Sequence, residues 1–151
     1  MPKLFTNTFS ANTKIKSAEV NQNFTDVSTV VLDYGEDTAG QIVTTEADLT
    51  NLDVTITAQG SRYVRISANV RYVSTDGPRN MTLALKEGVT QLQTHIWTAS
   101  GASAQETAFL SYIFQPAAGA HTYKLTGNAN GGTMTLQAAA TAPNYIVAEA
   151  L

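Results

Sequence analysis

Chemistry in this chain would have to come from few groups: His95, His121, twelve Asp and Glu residues, and the serine of Gly101-Ala-Ser103-Ala-Gln105. The two histidines fall on separate predicted strands. A metal site needs three or four converging ligands, so they read as ordinary strand residues. The serine segment approaches a nucleophile elbow but lacks the second glycine and sits among small residues, so it reads as a turn. Glycoside hydrolysis needs two carboxylates facing a cleft. Asp53, Asp76, Glu87 and Glu106 fall in or beside predicted turns, Glu149 lies near the end, and no pair stands out. Asp33, Glu36 and Asp37 lack EF-hand spacing and read as a solvated loop rather than a calcium site. The chain has no cysteine, which removes disulfides, thiolate metal ligands and cysteine nucleophiles. A Gly-rich phosphate loop between strand and helix is also missing. The expectation is a protein that is not an enzyme and uses no cofactor or metal.

Two further groups concern binding. Arg62, Arg65, Arg71 and Arg79 are interleaved with Tyr63 and Tyr72, a combination that can stack nucleic-acid bases. Tyr72, however, alternates onto the face opposite Arg65 and Arg71. The net charge of −3 and a pI of about 5.2 also give no basic field. The arginines therefore read as a wet sheet face or as partners in salt bridges, with no nucleic-acid partner. Trp97 is the single tryptophan and falls on the polar side of its predicted strand, as a sugar platform, an interface anchor or a partly buried ring; the last two are favoured.

The element that must position these groups is Ser61–Val73. Val64, Ile66, Ala68, Val70 and Tyr72 alternate with Tyr63, Arg65, Ser67, Asn69 and Arg71, the period of a strand with one wet face, usual in antiparallel sheets. Similar strands are predicted on both sides of it. Leu52–Ala58 precedes it. Met81–Lys86, Val89–Thr98, Ala108–Phe114, His121–Thr126, Thr133–Ala140 and Asn144–Leu151 follow, with turn residues between them. Residues 108–114 are apolar on both faces, which predicts either a central strand or a subunit contact. About eight strands point to a mainly β fold, an antiparallel jelly-roll-like sandwich over residues 52–151.

Before it, residues 17–35 are predicted as one short helix. Ser17 is the N-cap, Val20, Phe24, Val27, Val31 and Tyr34 recur at 4-3-4-3 spacing, and Gly35 stands at C′. This narrow stripe packs either on the domain's own sheet or on symmetry mates. Residues 36–51 read as a connector with a short strand at Gln41–Thr45. Residues 1–16 lack periodicity. Phe5, Phe9 and Ile15 on that stretch predict an extended docking arm rather than a frayed end. The N-terminus has no signal-peptide run, and nothing nears the roughly 20 apolar residues that span a bilayer. The expectation is a soluble protein made in a bacterial cytoplasm, with no membrane partner. Only 14% of residues are charged, against a usual quarter or so, and the polar surface is built from Thr, Asn, Gln and Ser. Such a surface suits a secreted, extracellular or virion protein.

The run Asn7-Thr-Phe-Ser-Ala-Asn-Thr-Lys-Ile-Lys-Ser-Ala-Glu-Val-Asn-Gln-Asn-Phe24 resembles the opening of many tailed-bacteriophage virion proteins, in which such a stretch leads into a helix and then a β-rich domain. It covers about a tenth of the chain. The β-region looks like the small trimeric jelly rolls of phage decoration and fibre proteins, an architectural resemblance without a motif. The resemblance implies a homotrimer displayed on the particle surface, without catalysis. The expected function is a capsid decoration protein docking on the major capsid protein. The alternative is a fibre or spike component binding a host-surface receptor or glycan through distal loops and Trp97. Phe5, Phe9, Ile15, Val20, Phe24, Val27, Val31 and Trp97 are the expected contacts with sister subunits or the shell.

Overall fold

The computed structural model describes residues 30–76 and 80–151. These residues form ten strands and no helix: β1 (Val30–Asp37), β2 (Gln41–Val43), β3 (Ala47–Gln59), β4 (Val64–Ser74), β5 (Asn80–Glu87), β6 (Thr90–Thr98), β7 (Gln105–Phe114), β8 (Ala118–Asn128), β9 (Met134–Leu136) and β10 (Asn144–Ala150). Every pairing is antiparallel. Two sheets face each other. The first runs β1-β10-β4, with β9 and β2 continuing it and β7 on the far edge of β4; the second runs β3-β8-β5-β6.

β4 organises the first sheet as its alternation predicts. Val64, Ile66, Ala68, Val70 and Tyr72 are buried between the sheets. Ala108 and Leu110 of β7 and Ile146 and Ala148 of β10 join them, against Leu52, Val54 and Ile56 of β3, Met81, Leu83 and Leu85 of β5, and Tyr123 and Leu125 of β8. Each Val, Leu, Ile and Met among them withdraws enough apolar area to contribute roughly 1.5–3 kcal/mol. β4 changes partner along one edge, pairing β10 up to Asn69 and β9 from Tyr72. At the junction Asn144 Oδ1 accepts the Arg71 amide at 2.8 Å, so the ladder loses no bond there.

The helix expected over 17–35 is corrected where the structure describes it. Val30–Asp37 is a strand paired with β10. A bulge explains the misleading spacing. The register shifts between Val31 and Asp33, so Val31 faces outward opposite Glu149 and Tyr34, three residues later, faces outward opposite Val147. Gly35 is not a helix terminator. It lies where β1 passes over β3, and a Cβ there would come within 2.5 Å of the Asp53 carbonyl oxygen and 2.7 Å of that of Asn51. Residues 17–29 of the expected helix, and the arm at 1–16, lie outside the described residues. The connector of 36–51 holds the end of β1, β2 and the start of β3, so among the described residues the sandwich already includes Val30–Asn51.

β6 is also corrected. Gln93, His95 and Trp97 pair with Leu85, Leu83 and Met81, all buried, so these three face the interior. Ile96 faces outward and is 66% exposed.

Candidate functional site

The two outer faces of the sandwich differ in kind. That of the second sheet is polar apart from Ile96: Thr55 and Thr122 share a hydroxyl hydrogen bond at 2.9 Å, Lys124 pairs with Asp48, and Lys86 with Glu46. The outer face of the first sheet is a mixed apolar surface. Its residues can be placed in rows from the strand register. Val31, Glu149, Arg65 and Ile113 form one row, Tyr34, Val147, Ser67 and Ser111 the next, and Tyr145, Asn69 and Phe109 a third.

Phe109 is 60% and Ile113 54% exposed, and Val31 and Tyr34 are similarly open. Tyr34 stacks on Tyr145 with centroids 6.3 Å apart. The Tyr34 hydroxyl donates to Glu36 Oε2 at 2.9 Å. Its pKa is raised by desolvation and by that carboxylate. In the first row the Arg65 Nε and terminal nitrogen both donate to Glu149 Oε2, at 2.9 and 2.7 Å. Ser67 and Ser111 face each other across β4 and β7 with oxygens 3.4 Å apart, so short side chains lower the middle of the face. Exposed aromatics and aliphatics around small and paired polar groups form the kind of patch that meets another protein.

Of the two settings expected for the strand of residues 108–114, the structure bears on the central one. β7 is a sheet edge, paired only with β4 among the described strands, so it is not central. Its outward Phe109 and Ile113 account for the second apolar face. Beyond Phe109 the face ends in an open polar recess of about 200 Å³, lined by Arg71, Gln105, Glu106, Thr107 and Gln137.

Of the expected contact residues, Val31 lies on this face. Trp97 does not: its ring meets Tyr72 edge-on at 5.3 Å and is partly buried against the core. Phe5, Phe9, Ile15, Val20, Phe24 and Val27 precede the described residues. The acids expected in a solvated loop are instead acceptors within β1. Asp33 Oδ2 takes the Thr55 amide at 2.6 Å, and the nearly buried Asp37 takes the Ala39 and Gly40 amides at 3.0 Å, turning the chain into β2.

His121 Nδ1 lies 2.5 Å from Glu87 Oε1, and its Nε2 lies 3.0 Å from the Ala117 carbonyl. Ser103 has a left-handed φ of 64°, and its amide donates to the Ser74 carbonyl at 2.7 Å. Among the described residues its hydroxyl is not bonded to either histidine, and no cluster of three or more His, Asp or Glu could hold a metal ion.

No family model and no curated protein matches the chain. Solved structures do match. The Eiger TNF of S. frugiperda superposes with a TM-score of 0.58 at 12% identity, over 82% of this chain and 92% of that one. The likeness is one of fold. The insecticidal delta-endotoxin Cry8Ea1 of Bacillus thuringiensis gives a TM-score of 0.44 at 12% identity, over 74% of this chain and 19% of that one.

Proposed function

We propose that this chain is a non-enzymatic structural protein of a tailed-phage virion, a homotrimeric capsid decoration protein that docks on the major capsid protein. The observation that carries the assembly is the outer face of the first sheet. Phe109 and Tyr34 stand open on it beside the half-buried Tyr145 and Val147, while the second sheet turns mainly threonines and lysines to water. A lone domain gains nothing from leaving aromatics in solvent, and association removes that area from water. The phage origin rests on the Asn7–Phe24 run, and the sandwich is read as a jelly roll of the small trimeric kind. Phe5, Phe9 and Ile15 would then grip the shell, each weak contact multiplied by trimeric attachment.

A second reading, a fibre or spike component, draws on the polar recess at Arg71, whose amides, hydroxyl and guanidinium suit a glycan hydroxyl pattern. Antibody-gold labelling of intact particles separates the two. Regular label over the head is expected. Label confined to the tail tip or fibres would transfer the protein to the second reading, and unlabelled particles would remove the virion reading.

A further inference from the structure

Between β8 and β9 the chain makes one tight turn. The Gly132 amide donates to the Ala129 carbonyl at 3.2 Å, and the two residues between them, Asn130 and Gly131, have φ of 49° and 91°. Two positive φ angles in succession make a type I′ turn, which asparagine and glycine tolerate. Ala129 and Met134 are buried in the core and hold the turn at its base. Its tip is in water. Asn130 and Gly131 are exposed, and a Cβ added at Gly131 would meet nothing within 4 Å.

An asparagine followed by glycine can react with its own backbone, because glycine has no Cβ to shield its amide nitrogen. No other asparagine of this chain precedes a glycine. The deprotonated Gly131 nitrogen adds to Cγ of Asn130, the Cγ–Nδ2 bond breaks, and Nδ2 leaves as ammonia with the proton. The product is a five-membered succinimide. Water then opens it. Breaking the bond from nitrogen to Cγ gives aspartate; breaking the bond from nitrogen to the main-chain carbonyl carbon gives isoaspartate. Water is the only co-reactant.

The fold bears on the rate. Nδ2, the leaving nitrogen, donates to the Asn80 carbonyl at 2.8 Å and to the Thr82 hydroxyl oxygen at 3.1 Å, both on β5. A main-chain carbonyl can only accept, so the amide is fixed in this orientation. The two bonds hold the side chain and the turn holds the backbone, whereas closing the ring requires both to rotate.

We propose that Asn130 is a site of spontaneous deamidation in the folded protein, and that its two hydrogen bonds to β5 set the rate. Conversion proceeds through brief local openings of the turn. An oxygen in place of Nδ2 cannot donate to the Asn80 carbonyl, so the tie between this turn and the start of β5 is lost. The chain, at −3, gains one further negative charge there. The site is independent of the virion reading.

The test is peptide mapping by mass spectrometry of the full chain at neutral pH, folded and, in parallel, unfolded in guanidinium. The mass gain of an amide turned to acid, with isoaspartate, is expected at residue 130 in both. The folded chain should convert about thirtyfold more slowly, the cost of opening two hydrogen bonds. Thr82→Val keeps a β-branched side chain on the strand and removes one acceptor. It should speed conversion of the folded chain about fivefold and leave the unfolded rate unchanged. A folded chain still unconverted at 130 when the unfolded chain has turned over completely would overturn the proposal. Equal rates in the folded and unfolded chains, or a folded Thr82→Val chain no faster than the parent, would overturn it too, since the bonds to β5 would then not control the reaction.

Discussion

His121 ties the β7–β8 connection, through the Ala117 carbonyl, to the end of β5, through Glu87. Its pKa is raised above the ordinary imidazole value, first by the Glu87 hydrogen bond and then by the Ala117 carbonyl, with partial burial opposing. A histidine whose pKa is higher folded than unfolded stabilises the fold fully below the unfolded value, about 6.5. That stability is lost as pH rises through the raised folded value. The thermal midpoint of the parent should therefore fall, relative to a His121→Gln variant, as pH rises above about 6.5. Glu87 is more than a third exposed, and water screens the pair, so the difference should be a few degrees at most. Parallel pH profiles for parent and variant would mean that the pair contributes nothing. The histidine was legible as a strand residue, but its partner was not, because Glu87 is far away in sequence and reaches it only through the β5–β8 pairing.

At the scale of elements, β4 was legible throughout, since both of its faces keep one character along the strand. β1 and β6 were not, for two different physical reasons. The bulge in β1 sets two outward residues three apart, a spacing that belongs to helices. β6 is the edge strand of its sheet, where inward positions carry the half-buried Gln93 and His95 while an outward one carries Ile96, so hydropathy inverts the register. That register makes a prediction. Trp97→Ala should cost about 3 kcal/mol or more in chemical denaturation, because the ring fills space against Tyr72. Ile96→Ser should change stability by no more than about 0.5 kcal/mol. The reverse order would restore the face with Trp97 outward. Gly35→Ala tests the crossing of β1 over β3. The added methyl would meet backbone carbonyls that cannot swing aside, so a loss of about 1–3 kcal/mol is expected, against well under 1 kcal/mol had this glycine merely ended a helix.

For the whole molecule, the question is what the uneven sides of the sandwich are for. Alternation in the sequence gives a wet face to each sheet, but it does not say which wet face carries the aromatics; that follows only when β1, β10, β4 and β7 are set side by side. Once they are, Tyr34, Tyr145, Val147 and Phe109 gather from three strands far apart in sequence. If this face joins copies of the chain, a charge at its centre should separate them without unfolding any one of them. Phe109 is well exposed in the single chain, so Phe109→Glu should leave monomer stability within about 0.5 kcal/mol. In the assembly the same carboxylate would be buried without a partner, a cost of several kcal/mol at each contact. Light scattering should therefore give the mass of three chains for the parent and of one for the variant. Thr122→Glu, on the polar face of the second sheet, should leave the trimer whole. A parent that is monomeric at every concentration would end the trimer proposal. A trimer that survives Phe109→Glu but not Thr122→Glu would move the contact to the other sheet, and the exposed aromatics would then be a surface for the capsid shell rather than for sister subunits.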